Sequence, residues 1–595
     1  MSADARERLL SAVAVALLLA MVAAVGPAQG DLFNYIAAAS AWLRVEDPSE
    51  LVRLTDYRWL ADQAARAGLG DRLVGYTVIT PPSLLLGAPL LLAGAHAGRV
   101  FQLVQAALLL LSGLAVARSV RRPLWVGLLP FLLLAPAVWS HLWQGQLHLP
   151  AVLALATGAW AWRAGRAATA GVLFALAVGL KVHAWPVLVL LVLWRSWTAV
   201  GAAALTLVAG FGASVALLGW PVHAAWLAEG VPAGASGMFI DPWHPSFQSL
   251  GHGLRRVLVP HETLNPGPAD SLAGLAGGVA GAVQGLVVGV SLAGAVAATG
   301  RAGDRSGPLG LGALAVTAVA ALLSGPILSS YHLVLLAPPA VWVLDAQWRQ
   351  GHRGRAVLVA GLLVAVGAVH PVPEAPGLLS VPRAWLALAL WSAMLPRFRV
   401  REAGPGIAVA LALAVAMGWS GARRAAAWDT VRDGAVAVEH PDAPLVQAEL
   451  TRTADGVLWL SAIAPERGGA RGRGWVGVRW DAGGGGGPEV VATHPSAHVW
   501  APVASGPGSV TWSDGPAAPR LPGCAFPDGR RVEVRAEGEP GELWLVAPGG
   551  EATPLTEHPG HDTAPVCDAV RGRVWFLSDR RVGTRALRLW WLPIE

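Results

Sequence analysis

The chain has 595 residues, 54% apolar and 14% charged, with 44 basic and 38 acidic side chains, a net charge of +6 and a mean hydropathy of +0.50. Soluble chains are about 45–50% apolar and about 25% charged, so the composition excludes a disordered protein, a disulfide-stapled miniprotein and an ordinary soluble enzyme. The positive balance does not indicate nucleic acid, because the basic residues stand in short clusters between apolar runs and form no stripe interleaved with aromatics.

Residues 1–420 carry 17 of the 38 acids and the last 175 residues carry 21. The chain therefore divides into a polytopic membrane domain, 1–424, and a polar domain, 425–595. Arg6 and Arg8 precede an apolar run from Leu9 to Pro27. This run reads as a retained first span with its amino terminus inside, a signal peptide being the other reading. Residues 28–80 follow as a polar outer loop that holds Asp31, Glu46, Asp47, Asp56 and Asp62. Pro81, Pro82 and Pro89 mark 80–96 as a short juxtamembrane segment rather than a crossing.

Further apolar segments run at 98–117, 124–141, 147–162, 198–219, 271–299, 309–328, 331–346, 356–370, 383–396 and 405–420. Between them lie Arg118/Arg121/Arg122, Arg163/Arg166, Arg195, Arg301/Arg305, Arg349/Arg353/Arg355 and Arg397/Arg399/Arg401. One alternation puts every cluster in the cytoplasm, with the carboxyl terminus outside. Only 28 residues separate Arg166 from Arg195, too few for two crossings of about 20 residues each. That stretch must enter the membrane and return, turning near Lys181–Pro186.

From about residue 425 short apolar alternations between Gly, Pro and Asp turns indicate β-structure. A loose repeat relates 526–560 to 568–593, and its DGRR, LWLV, GG and LT spacing resembles a blade of TolB-type, WD40-like propellers; a β-sandwich is the plainer reading. Cys524 and Cys567 fall in similar blade positions, where they could bridge in an oxidising compartment.

Ionisable groups at a membrane edge are costly and are the first functional candidates. Asp31 is one, although Asp is also a favoured cap for a helix starting at Leu32. Lys181 is the sole lysine in the chain. With His183, Gln146, Tyr331, His332 and Arg255 it falls in segments assigned to the outer face, where cations suit phosphate oxygens. For each of these, snorkelling or an interfacial role is the plain alternative. P-loop, HExxH, GxSxG and CxxC motifs are absent.

Taken in order, Asp31, then Tyr76 with Pro81-Pro82 and Pro89, then Gly145-Gln146, then Ala170-Gly171 with Leu180-Lys181 and Trp185-Pro186, then Pro326 with Tyr331-His332-Leu333 and Pro338-Pro339, resemble a known pattern. It is similar to that of the GT-C-fold, polyprenyl-phosphate-dependent mannosyl- and arabinofuranosyltransferase-like proteins of glycosyltransferase family 87, over residues 5–420. The pattern departs in matching no second acid among Glu46, Asp47 and Asp56, and in lacking a second histidine next to His332.

The resemblance implies an inverting enzyme that takes a sugar from a polyprenyl-phosphate carrier. Asp31 would be the general base on the acceptor hydroxyl. Lys181 and His332 would hold the leaving phosphate, with His183, Arg255, Tyr331 and Gln146 as further donor-binding residues. The expected fold is all-α and polytopic, GT-C-like, with roughly 11–13 spanning or re-entrant helices and an extracytoplasmic, propeller-like β-domain. The expected setting is a bacterial inner membrane, with a lipid or glycan acceptor, membrane lipids as surroundings and no nucleic-acid partner. No cofactor is indicated and a divalent cation stays open. The alternative is a non-enzymatic scaffold or lipid-glycan transporter with a partner-binding tail. A transporter needs charges deep in its spans, and these spans are nearly free of them.

Overall fold

The computed structural model describes residues 2–28, 31–44, 66, 80–227, 231, 247–259, 272–302, 305–325, 328–370, 377–396 and 404–429 of the membrane part. In the tail it describes 436–437, 447–452, 458–465, 475–481, 489–494, 501–506, 509–513, 523–535, 542–556, 562–578 and 588–594. Glu46, Asp47, Asp56, Asp62, Tyr76, Pro326 and the cluster Arg397/Arg399/Arg401 lie outside these residues.

The membrane part is helical. Among the described residues five helices are long and apolar enough to span: Ala3–Ala24, Ala97–Val120, Trp197–Leu218, Ala273–Gly300 and Ile407–Ala425. The pair Leu124–Leu133 and Ala135–Gln144 is long and apolar enough only when taken together, as a broken span or a re-entrant loop bent by 77°. Pro130 sits inside the first of these helices and a proline opens the second, which removes ladder donors where the axis turns. The remaining helices are shorter, within the expectation of a mixture of spanning and re-entrant helices. Ala337–Arg349 has 13 residues because the 7 residues of Ser330–Leu336 before it form a tighter 3-10 turn. Part of the membrane thickness there is taken up by irregular backbone, which is tolerated only where protein buries it or it lines a cavity.

The first helix packs Ala14, Leu18 and Val22 into the main apolar core. Residues 81–96 are broken into Pro81–Leu84, Ala88–Leu91 and the 3-10 turn Gly94–His96, none of spanning length.

The expected re-entrant hairpin is present. Ala167–Leu180 stops at Lys181, Val182–Ala184 makes a 3-10 turn, and Trp185–Leu193 follows. Gly171, near the start of the first arm, lies against the start of Trp197–Leu218: a Cβ on it would sit 2.1 Å from the Ala199 carbonyl oxygen. The chain has thus returned to its starting level by residue 199, with Lys181 at the far tip.

One end of the bundle collects the basic clusters. Asp345 is buried and takes Arg122 Nε at 2.8 Å and Arg349 Nε at 2.7 Å. Arg163 donates to the Ser119 carbonyl at 2.8 Å and Arg349 to that of Val120 at 2.9 Å. Trp162 and Trp194 stack with ring centroids 5.4 Å apart, and Arg305 donates to the Trp194 carbonyl. Helix C-termini point here, so guanidinium groups meet the negative ends of the dipoles and the last carbonyls.

Ala273–Ala302 and Gly404–Asp429 lie along one another through small residues. Gly277, Gly281, Gly285 and Gly289 repeat every four positions, and a Cβ on any of them would come within 2.2–2.5 Å of the partner helix at Gly421, Met417, Leu413 or Ala410. In lipid, where no hydrophobic force drives apolar helices together, such close backbone approach supplies the association.

The tail is antiparallel β. Strands β1 (Val436–Ala437), β12 (Asp562–Asp568), β13 (Arg573–Ser578) and β14 (Arg588–Pro593) form one sheet in the order β1-β14-β13-β12. Strands β8 (Gly523–Ala525), β9 (Arg531–Arg535), β10 (Glu542–Val546) and β11 (Ala552–Pro554) form another, β2 to β5 (within 447–494) a third, and β6 with β7 (within 501–513) a hairpin. The two halves of the sequence repeat thus fall in separate sheets. Among the described residues the sheets close into no ring and no barrel. Cys524 on β8 and Cys567 on β12 are disulfide-bonded, with Cα atoms 5.6 Å apart.

Candidate active site

At the end of the bundle opposite the arginine clusters, five chain-distant segments meet. The helix Leu32–Arg44 begins there, and all ten of its first residues are buried. Asp31 stands just before it, half-buried. Asn34 Nδ2 donates to Asp31 Oδ1 at 3.3 Å, and Gln146 Nε2 donates to Asp31 Oδ2. Both carboxylate oxygens are therefore oriented by side-chain amides, one local and one 115 residues away.

Gly145 makes that long-range contact possible. It ends Ala135–Gln144 in the left-handed conformation, φ +72°, and a Cβ on it would lie 2.3 Å from Leu32 Cβ. Only glycine accepts both the dihedral and the approach. The turn is thereby pressed onto the start of the Leu32 helix, which sets Gln146 over Asp31.

Lys181 reaches the same place from the tip of the hairpin. Thr80 and Ser83 hydroxyls lie 2.7 Å from each other and 3.4 Å from the carbonyl oxygens of Gly179 and Leu180, so that one hydroxyl donates to the other and the second proton is left for a carbonyl. These carbonyls have no partner within their own helix, so the Pro81-Pro82 segment acts as a cap that ends the helix at Lys181. The charges of Asp31 and Lys181 act on each other, and that of Asp31 also reaches Tyr35.

Around them stand four imidazoles. His332 and His148 meet edge to face with centroids 5.0 Å apart, His332 and His183 at 5.6 Å, and His148 and His141 at 5.6 Å. Tyr331 lies 4.5 Å from His332 and 5.7 Å from His148. His332 is fixed by its own turn: its Nδ1 accepts the Ser329 backbone N–H at 3.1 Å in a capping-box arrangement. Ser330 and Ser140 hydroxyls join the two segments at 2.7 Å. His141 is held by Gln105 at 3.3 Å. Among the described residues Asp31 is the only carboxylate at this end, and no group of three His, Cys, Asp or Glu is placed to hold a metal ion.

Of the residues expected from sequence, Asp31, Gln146, Lys181, His183, Tyr331 and His332 come together. Arg255 lies on Leu250–Leu258, buried, on a helix whose Gly253 packs against Val381. Sequence reasoning missed Asn34, Tyr35, His141, His148 and Arg383. The spacing of Asp31 and Asn34, one helical turn apart, was the available signal for the first. His141 and His148 flank Gly145-Gln146 and could have been read with it.

This geometry joins a carboxylate held by amides to a cationic and imidazole-rich wall, a pairing suited to moving a proton on one side and stabilising an anionic leaving group on the other. Residues 78–326 match the model of glycosyltransferase family 87. The match covers 249 of the 595 residues, and that stretch is similar to the family. It takes in Gln146, Lys181, His183 and Arg255, while Asp31, Tyr331 and His332 lie beyond it. No curated protein and no solved structure matches the chain.

Proposed function

We propose that the protein transfers a sugar from a polyprenyl-phosphate donor to an acceptor hydroxyl, with inversion, at the extracytoplasmic face of a bacterial inner membrane. The observation that carries this reading is the convergence of Asp31, Gln146, Lys181 and His332 from segments separated by up to 300 positions, joined to the family match.

Asp31 accepts the acceptor's hydroxyl proton as its oxygen attacks the anomeric carbon. The bond from that carbon to the donor phosphate breaks and its electron pair leaves on the phosphate oxygen. Lys181 and His332 hold that oxygen, with His183, Tyr331 and Arg255 lining the donor side. Gln146 and Asn34 aim the carboxylate. Opposite charges at the two poles of the transition state are what a preorganised site stabilises best.

Two observations support the sidedness. The arginine clusters gather at the other end of the bundle, as cytoplasmic loops do. The tail that follows the last helix carries a disulfide, a bond that persists in oxidising compartments.

The test is transfer from a panel of radiolabelled polyprenyl-phosphate mannose, glucose and arabinofuranose to a broad acceptor extract, in membranes bearing the full chain. Transfer from one donor supports the reading and names the sugar. No transfer from any donor by folded protein would turn attention to a scaffold or lipid-glycan transporter.

A further inference from the structure

The described residues place more positive character at the site than the phosphate-binding roles given above use. Arg383 is 4% exposed. It is fixed by its backbone N–H, which donates to Gln248 Oε1 at 3.1 Å, while the Gln248 N–H donates at 3.1 Å to the carbonyl of Leu328, four residues before His332. One guanidinium nitrogen donates to the Val369 carbonyl at 2.9 Å, and Nε has no partner among the described residues. His148 is fully buried, 5.0 Å from His332, and neither of its ring nitrogens has a partner among the described residues.

Both residues open helices. His148 starts His148–Arg163, Arg383 is second in Pro382–Met394, and His183 lies two residues before Trp185–Leu193, in the 3-10 turn that leads into it. The Gln248 side chain takes one N–H at the start of Pro382–Met394, while among the described residues no side chain caps the starts of His148–Arg163 and Trp185–Leu193. Positive helix ends repel a buried cation and attract an anion. A buried guanidinium at such an end, with no carboxylate bonded to it among the described residues, is a costly arrangement that a bound anion would reverse.

We infer that Arg383 and His148 form the far wall of the donor-phosphate pocket, facing Lys181 across His332, so that a phosphate is gripped from two sides and Arg383 takes the oxygens that gain charge as the sugar departs. This rests on the transferase reading and extends it to a residue outside the stretch that matches the family model. Arg383 keeps its proton throughout and contributes hydrogen bonds alone, in the two-pronged geometry that guanidinium offers to phosphate.

The experiment has two readouts on the full-length protein in detergent. The first is thermal stabilisation by a non-transferable polyprenyl phosphate and by methyl phosphate, against chloride at equal ionic strength. The second is steady-state transfer from the polyprenyl-phosphate sugar. Wild type should be stabilised by both phosphates. Arg383→Gln should lose the shift and at least ~100-fold in kcat/KM, His148→Asn about tenfold, and Arg383→Lys should restore part of both, as expected for loss of an anion-stabilising donor. Arg353→Gln, at the arginine end, should behave as wild type.

A phosphate shift in Arg383→Gln equal to wild type, or none in wild type, overturns the inference. If Arg383→Gln does not fold, an undiminished shift and KM in Arg383→Lys overturns it equally. An Arg383-dependent shift without sugar transfer from any donor would leave the anion pocket standing and remove the transferase reading. Transfer with an Arg383-independent shift would do the reverse.

Discussion

Asp31 and Asp345 are both buried or half-buried acids in an apolar bundle, and their partners tell them apart. Asp345 spends both oxygens on guanidinium groups, Arg122 and Arg349, so it is structural. Asp31 is oriented by neutral amides, with the cationic partner Lys181 across from it, an arrangement that leaves a carboxylate able to take a proton. Replacing Gln146 with Ala should therefore lower kcat/KM by about 10–100-fold, the range for losing a hydrogen bond to a charged group, with little change in thermal stability; steady-state kinetics beside a melting curve checks this. Gly145→Ala should act on both. A left-handed non-glycine residue costs about 1–2 kcal/mol and overpacking against Leu32 about 1–3 kcal/mol, so the melting temperature and the transfer rate should fall together. Asp31, Lys181 and His332 could be singled out in the sequence as polar groups flanking apolar runs, Lys181 also as the sole lysine. Arg383 was not, because an arginine after a proline at the head of an apolar segment reads as an ordinary flanking cation. Its burial and its open Nε exist only in the folded protein.

At the scale of elements, the re-entrant hairpin was forced by counting: the distance from Arg166 to Arg195 cannot hold two crossings, and the contact of Gly171 with Ala199 shows the return. The bend of 77° between Leu124–Leu133 and Ala135–Gln144 was not expected, although Pro130 and Pro136 announce it, because the apolar run passes through both prolines without a break. The 3-10 turn Ser330–Leu336 was also not expected, since hydropathy does not distinguish it from a continuing α-helix. The contact between Ala273–Ala302 and Gly404–Asp429 depends on four glycines in register. Gly285→Leu should force the helices apart, since a Cβ alone would lie 2.5 Å from the Leu413 carbonyl oxygen. The expected outcome is destabilisation by about 1–3 kcal/mol or more and faster proteolysis near residue 404, read by limited digestion in detergent. An exposed control, Gly361→Ala, with open space around it, should leave both unchanged.

Across the whole molecule the two ends of the bundle differ in charge chemistry, and the tail adds antiparallel sheets joined by one disulfide. Sequence composition separates the two parts at about residue 425, and the strand repeat correctly signals sheets, but short β repeats do not specify how sheets close upon one another. The Cys524–Cys567 bridge spans 43 positions, so its removal by Cys524→Ser with Cys567→Ser should cost the tail about 4 kcal/mol on loop-closure arithmetic, seen as a lower denaturant midpoint for the tail's tryptophan signal. Sugar transfer by the membrane part tests the central claim most directly, through Asp31→Asn, which keeps the side chain's shape and capping capacity and removes its basicity. Wild-type membranes should transfer sugar from one polyprenyl-phosphate donor, and Asp31→Asn should do so about 100–10,000-fold more slowly while the protein stays folded. Equal rates for the two would show that the proton goes elsewhere and that Asp31 only caps its helix.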